Sequence, residues 1–296
     1  MDPVTYLEED TLTRPAVVCA FRGWNDGGEA ATIALQYLGE RWAARPYASI
    51  DPEEFYDFQV NRPMVRLEEG VSRFIEWPKA EFRSASVGGR DVLLFSAPEP
   101  NNRWRGFTEA VIGVARRAGS EILVTMGGFL TDVPHTRPVQ VVGSAQDPET
   151  ATRLGLSRSQ YEGPTGITGV VHDVAIRAGL PSVSLWAAVP HYLPAAPNPK
   201  AARALVERTT AVLELPVDLG PIGEHVTDWE RSVGRLVEDS EELAEYVRRL
   251  EAATDQGMGI AGQRPMADEA MPSGDVIAAE LERFLREQDP GPGGSS

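Results

Sequence analysis

Five short, almost unbroken apolar runs constrain this chain more than any other feature. They are "AVVCAF" (16–21), "DVLLFSA" (91–97), "EILVTM" (121–126), "VQVVGSA" (139–145) and "SVSLWAAV" (182–189). A strand without polar alternation is buried on both faces, so helices must cover each side of a parallel or mixed sheet. Helical patterns follow most of the runs. One stripe gathers Ala30, Ile33, Ala34, Tyr37 and Leu38; another gathers Phe107, Val111, Val114 and Ala118. A third takes Ile167, Val170, Val171, Val174, Ala175 and Ala178. A fourth helix opens at "NPKAARALV", with Asn198 as cap and Pro199 at the first helical position. This alternation predicts an α/β domain of three layers with a mixed or mostly parallel sheet, over residues 14–220.

Residues 1–13 read as an N-terminal extension. "FRSASVGGRDVLLF" predicts a hairpin, with Gly88-Gly89 at a two-residue turn that wants positive φ. "MVRLEEGVSRFIEW" predicts a second hairpin. "LPVDLGPIGEH" (215–225) marks a boundary, beyond which residues 221–288 read as a helical C-terminal extension. There Trp229, Val233, Leu236, Leu243, Val247 and Leu250 form a heptad-like stripe with Ser240 in its seam. Residues 252–274 read as a loose connection, "DVIAAELERFLREQ" (275–288) as a further helix, and 289–296 as a disordered tail.

The net charge of −16 opposes phosphate backbones, so no nucleic-acid partner is expected. No apolar run approaches the roughly 18 residues of a membrane span. The opening "MDPVTYLEEDTL" lacks the basic and apolar character of a signal peptide. No membrane partner is expected, and the cytoplasm is the expected location. The single cysteine, Cys19, lies inside an apolar run and reads as a small buried hydrophobe. The four histidines (135, 172, 191 and 225) are scattered, so neither a metal site nor a cofactor is expected. G-x-S-x-G, G-x-G-x-x-G after a strand, H-E-x-x-H and Cys–His nucleophile signatures are all missing, which leans away from catalysis.

Four polar, glycine-rich stretches follow buried strands, at the rim where open α/β sheets bind ligands. In "FRGWNDGGEA", Gly27 and Gly28 permit a hard turn, Asn25 or Asp26 can cap the next helix, and Arg22 could neutralise an anion. The same stretch also reads as a capped turn with Arg22 solvated and Trp24 packed. In "SAPEPNNRW", Glu99 could hold a ribose hydroxyl or an amine, cap a neighbouring helix or meet an arginine. In "TMGGFLTDVPHTRP", Gly127 and Gly128 precede Asp132, His135 and Arg137, the raw material of acid–base work, of a subunit contact or of a tied-down loop. In "EGPTGITGVVHDVA", Gly163 and Gly166 bracket a helix start, with Thr165 as the expected N-cap. Its free N–H groups would favour an anion, Glu162 would oppose one, and Gly169 reads as a packing residue.

"GWNDGGEAA", "SAPEPNNRW", "GGFLTDVPHTRP", "YEGPTGITGVVHDVAIRAGLPSVSLWAAVPHYL" and "PNPKAARALV", in that order, resemble the PAC2 family. These are the proteasome assembly chaperone 2-like proteins, here of the actinobacterial type. The resemblance implies a fold related to the nucleoside phosphorylases and a homo-oligomer, with a trimer as one candidate. It also implies a non-catalytic, chaperone-like link to proteasome assembly. The terminal "GPGGSS" carries neither a hydrophobic-Tyr-X tail nor Gly-Gln-Tyr-Leu, so contact with proteasome subunits is expected through a folded surface. The alternative is a protein that binds a phosphate-like or nucleoside-like ligand at the glycine-rich rim.

Overall fold

The computed structural model describes residues 3–8, 11–68, 72–145, 148–156, 163–193 and 197–257. The further helix at 275–288, the tail at 289–296 and Glu162 lie outside these residues. The centre is an eight-stranded mixed sheet in the order β1-β3-β6-β7-β2-β8-β10-β9. Four strands form its parallel middle: β7 (Arg90–Pro98), β2 (Ala16–Arg22), β8 (Ile122–Thr131) and β10 (Ser182–Pro190). Antiparallel strands flank them: β6 (Ala80–Val87), β3 (Arg45–Ile50) and β1 (Val4–Tyr6) on one side, β9 (Val141–Ala145) on the other. The N-terminal residues thus supply an edge strand. The run at 139–145 differs from the other four in being a half-buried edge.

Strand periodicity separates the core into two sides. Val18, Ala20, Leu94, Val124 and Leu185 pack under α1 (Ala30–Arg41) and α5 (Pro199–Leu213). Val17, Cys19, Phe21, Leu93 and Phe95 pack under α2 (Trp104–Arg117) and α4 (Ile167–Arg177). Three layers result, as the apolar runs require. Asn198 caps α5 by accepting from Ala201 N (2.9 Å). Phe107 centres an aromatic group, its ring 5.4 Å from Phe55, 6.3 Å from Phe21 and 6.0 Å from Phe95. Cys19 is fully buried, and burial pushes its thiol pKa up.

Both expected hairpins form. Val87 pairs with Arg90 across Gly88 (φ 58°) and Gly89 (φ 79°), the left-handed pair that a type I′ turn needs. β4 (Met64–Glu68) pairs with β5 (Ser72–Glu76) as a separate two-stranded sheet. Residues 215–219 are fastened to α1, since Tyr37 Oη donates to Asp218 O (2.5 Å) and Trp42 Nε1 to Pro216 O (3.1 Å).

The heptad-like stripe does not make one helix. α6 (Gly220–Glu238) stops at Asp239, and Ser240 caps α7 (Glu241–Asp255) by accepting from Leu243 N (3.3 Å). A serine hydroxyl in the seam serves a helix start better than a helix interior. The two helices share a smaller core, in which Trp229, Val233, Tyr246 and Leu250 meet Tyr192 and Leu193.

Phe107→Ala is expected to cost about 3–5 kcal/mol, read as a lowered urea midpoint with unchanged slope. A loss within about 0.5 kcal/mol, the size of an ordinary surface substitution, would contradict the packing described.

Candidate functional site

The parallel strands β7, β2, β8 and β10 end on one side of the sheet, and their loops converge there. Leaving β2, the chain turns at Gly23 (φ 137°), where a side chain would press on Glu99. It then runs beside β8. Asp26 and Gly128 form a parallel bridge, and Gly128 N donates to Asn25 O (2.8 Å). A β-carbon on Gly128 would lie 2.6 Å from Gly27 O, and one on Gly27 would lie 3.2 Å from Gly128 O. The two glycines face each other backbone to backbone. Gly127 makes room for an aromatic ring, since a β-carbon there would lie 2.5 Å from Trp186. Gly28 (φ 60°) accepts from Asn198 N (2.7 Å), which ties the start of α5 to the same loop.

Asp26 satisfies the first N–H groups of α1, although the N-cap position itself is Glu29. Its Oδ1 accepts from Ala31 N (2.8 Å) and Thr32 N (3.3 Å), and its Oδ2 accepts from Thr32 Oγ1 (2.5 Å). Burial raises its pKa despite these bonds. Glu99 accepts from Ile167 N at the start of α4 (2.8 Å). A carboxylate from the β7–α2 loop thus sits where a free anion was one expectation. Thr165 is not the N-cap: that position is Gly166, without a side-chain bond. A β-carbon on Gly166 would overlap the Asn25 amide, so a glycine must stand there. A β-carbon on Gly169 would overlap Thr165 Oγ1 in the same way, in keeping with its reading as a packing residue. Gly163 is exposed before this turn. Arg22 is exposed near the Tyr56 hydroxyl, on which its charge acts. Trp24 is not packed but 66% exposed.

The rim therefore unites Asn25, Asp26, Gly27, Gly28, Gly128, Gly166 and Glu99, and largely fills itself. One group is left over. Asn25 Oδ1 is buried with no hydrogen-bond partner among the described residues.

His135 and Arg137 belong to a different neighbourhood, where the loop after β8 is held by the two C-terminal helices. Arg137 grips Asp255 with two bonds (Nε–Oδ1 2.8 Å, Nη2–Oδ2 2.7 Å) and reaches Glu251 (3.3 Å). Tyr192 Oη accepts from His135 N (2.8 Å) and meets His135 Nδ1 (2.8 Å). Lys200 Nζ donates to His135 O (2.7 Å) and pairs with Glu230 (2.6 Å). Burial, with the nearby Lys200 charge, holds the His135 imidazole pKa down at about 4. The cleft beside it is about 20 Å³, room for about one water.

Sequence reasoning missed a second polar group. Asp132 faces His191 (Oδ1–Nδ1 3.1 Å) rather than His135, and His191 Nε2 lies 3.2 Å from Tyr246 Oη. The available signal was that "PHYL" follows β10 just as "TDVPH" follows its parallel neighbour β8. Tyr246 lies within an apolar helical stripe and gave none. His172 stands between Ser182 Oγ (2.7 Å) and Ser144 Oγ (3.4 Å), as suits a polar boundary. Among the described residues, no group of three His, Cys, Asp or Glu is placed to hold a metal ion.

These features define a mixed-sheet α/β protein whose strand-end loops are packed against one another. The chain belongs to the PAC2 family, whose model matches residues 20–237. A PAC2 family protein from Streptomyces avermitilis is 44% identical, with 79% of this chain and 99% of that chain covered at a TM-score of 0.74. A Mycobacterium tuberculosis proteasome-assembly chaperone homologue is also 44% identical, covering 78% of this chain and 99% of that one at 0.72. The Pyrococcus furiosus archaeal proteasome activator shares the fold at 17% identity, covering 80% of this chain and all (100%) of that one at 0.64. Among curated proteins none matches the chain.

Two outcomes test this geometry. Gly166→Ala, which pushes into Asn25, is expected to cost about 1–3 kcal/mol, whereas Gly113→Ala on open helix surface should gain about 0.5–1 kcal/mol. Chemical denaturation of the two variants checks both signs. His135 has a folded pKa of about 4, below the ordinary imidazole value, so the unfolded chain binds the proton first as pH falls. The His135 contribution is present above about pH 6.5 and should lower stability by about 2 kcal/mol between pH 7 and pH 5; His135→Gln should remove that part of the loss and leave the part due to His172, whose pKa burial also lowers.

Proposed function

We propose that this protein acts without catalysis, as a self-associating, chaperone-like partner of proteasome subunits in the cytoplasm, through a folded surface. The observation that carries this reading is the 44% identity to a proteasome-assembly chaperone homologue over nearly all of that chain. The packed rim and the absence of catalytic signatures support it. Among the described residues, no helix is long and apolar enough to cross a membrane.

The test is direct. Purified protein is expected to bind recombinant proteasome α subunits in interferometry and to change the rate at which they form rings with β subunits. Absence of binding together with an unchanged rate overturns the reading.

A second reading has one observation in its favour, the unpartnered Asn25 Oδ1 at the rim. With Glu99 nearby, a ligand reaching it would present a hydroxyl or ammonium donor rather than a phosphate. A nucleoside-like ligand at about a hundred times its Kd would raise stability by about 2.7 kcal/mol in a thermal-shift screen. No shift with nucleosides, nucleotides or phosphate removes this reading.

A further inference from the structure

The β4–β5 hairpin is the most exposed apolar feature of the described residues. It pairs with no strand of the main sheet. Register sets Val65 opposite Ile75 and Leu67 opposite Arg73, so these four share one face. Val65, Leu67 and Ile75 are 62%, 59% and 57% exposed. Arg73 is exposed beside them, with no ion-pair partner among the described residues. The other face is better served, since Arg66 there pairs with Glu76 (3.1 Å). An apolar two-stranded sheet is marginal in water and wants cover.

A cover for the first face needs an apolar stripe with carboxylates along one flank. The described helices have no stripe to spare. α1 and α5 spend theirs on one side of the sheet, α2 and α4 on the other, and α6 and α7 on a core of their own. One helical pattern of the chain is left over, the segment 275–288 outside the described residues. Its Ile277, Leu281 and Phe284 recur at helical spacing. Glu280 and Glu287 each follow a member of that stripe by three positions, so both fall on the same flank of it. The segment holds four acidic and two basic side chains, a net −2. Residues 60–79 hold four basic side chains (Arg62, Arg66, Arg73 and Lys79) and three acidic ones (Glu68, Glu69 and Glu76), a net +1 in a chain of −16. Stripe and flank thus match the hairpin face in both polarity and charge.

The chain can make the connection. β3 ends with Ile50 opposite Ala80, where β6 starts, and Glu81 of β6 lies opposite Ser96 near the end of β7. The hairpin between β3 and β6 therefore leaves the sheet at the edge where the parallel strands end. α7 finishes at that edge too, because Asp255 is held by Arg137 in the loop between β8 and β9. From β6 to β9 is five strand spacings, about 24 Å. Residues 258–274 span up to about 60 Å when extended. A helix over 275–288 is about 21 Å long, against about 17 Å for a strand of five residues. A tethered segment is also present at an effective concentration of roughly millimolar order, which favours it over a free partner of equal affinity.

We propose that the segment 275–288 packs across the Val65–Leu67–Ile75 face of the same chain's β4–β5 hairpin, with Glu280 and Glu287 toward Arg73. The face is then closed to other chains while the segment is seated.

Two measurements on the full chain test this. The first is hydrogen exchange, read by mass spectrometry, in wild type and in a segment variant (Ile277→Asp, Leu281→Asp, Phe284→Asp). Residues 64–76 are expected to exchange about tenfold faster in the variant, the effect of losing about 1.4 kcal/mol of cover, with β2 unchanged as the sign of an intact fold. Unchanged exchange over 64–76 overturns the proposal. The second is an engineered pair, Arg73→Cys with Glu280→Cys, in a chain whose single native thiol, Cys19, is buried. Mild oxidation is expected to give a disulfide within one chain, at an unchanged 32.2 kDa without reductant. A disulfide-linked product of twice that mass shows the segment seated on a second copy and overturns docking within the chain. Two thiols left free overturn the placement of Glu280 beside Arg73.

Discussion

Backbone meets backbone where Gly128 of β8 lies against Gly27 of the β2–α1 loop, and the rest of the rim follows from that contact. The approach needs two residues without side chains, each intruding on the other's carbonyl if enlarged. It is locked by the Gly128 N to Asn25 O bond and the Asp26–Gly128 bridge. Once the loop is held there, Asp26 accepts from the first N–H groups of α1, Gly28 O receives Asn198 N at α5, and Asn25 lies over Gly166 at α4. Three helices are thereby placed by one loop.

This arrangement decides how the rim can work. In an open α/β sheet the crevice at the strand ends is the usual ligand site. Here glycines draw the loops together until protein groups occupy much of that crevice, and Glu99 satisfies the helix start that an anion would otherwise seek. The large apolar side chains left exposed, Trp24 and those of the β4–β5 hairpin among them, lie outside the core. The proposed chaperone-like role, in which other chains are met through a folded surface, asks nothing of that occupied crevice.

Much of the architecture was legible in the sequence because it rests on local rules. Apolar runs, the Gly88-Gly89 turn and the Asn198-Pro199 helix start each depend on neighbours in the chain. The candidate site was legible only in part. Glycines after strands signal either a ligand cradle or a close packing contact, and which applies depends on residues far away in sequence, such as Trp186 over Gly127. Arg137 could not be read as engaged, because its acidic partners stand on a helix more than a hundred residues later. The alternating pattern of "MVRLEEGVSRFIEW" shows a hairpin, yet alternation alone cannot tell that both of its faces are left bare.

The central claim is that the strand-end rim is a packed part of the fold and not an open cradle. Native-state hydrogen exchange at two amides tests it most directly: Gly128, bonded to Asn25 O, and Ile167, bonded to Glu99. The account predicts that both exchange as slowly as the amides of central strand β2, through openings that approach global unfolding. Exchange at either amide as fast as in the exposed Gly88-Gly89 turn would show an open rim and contradict it.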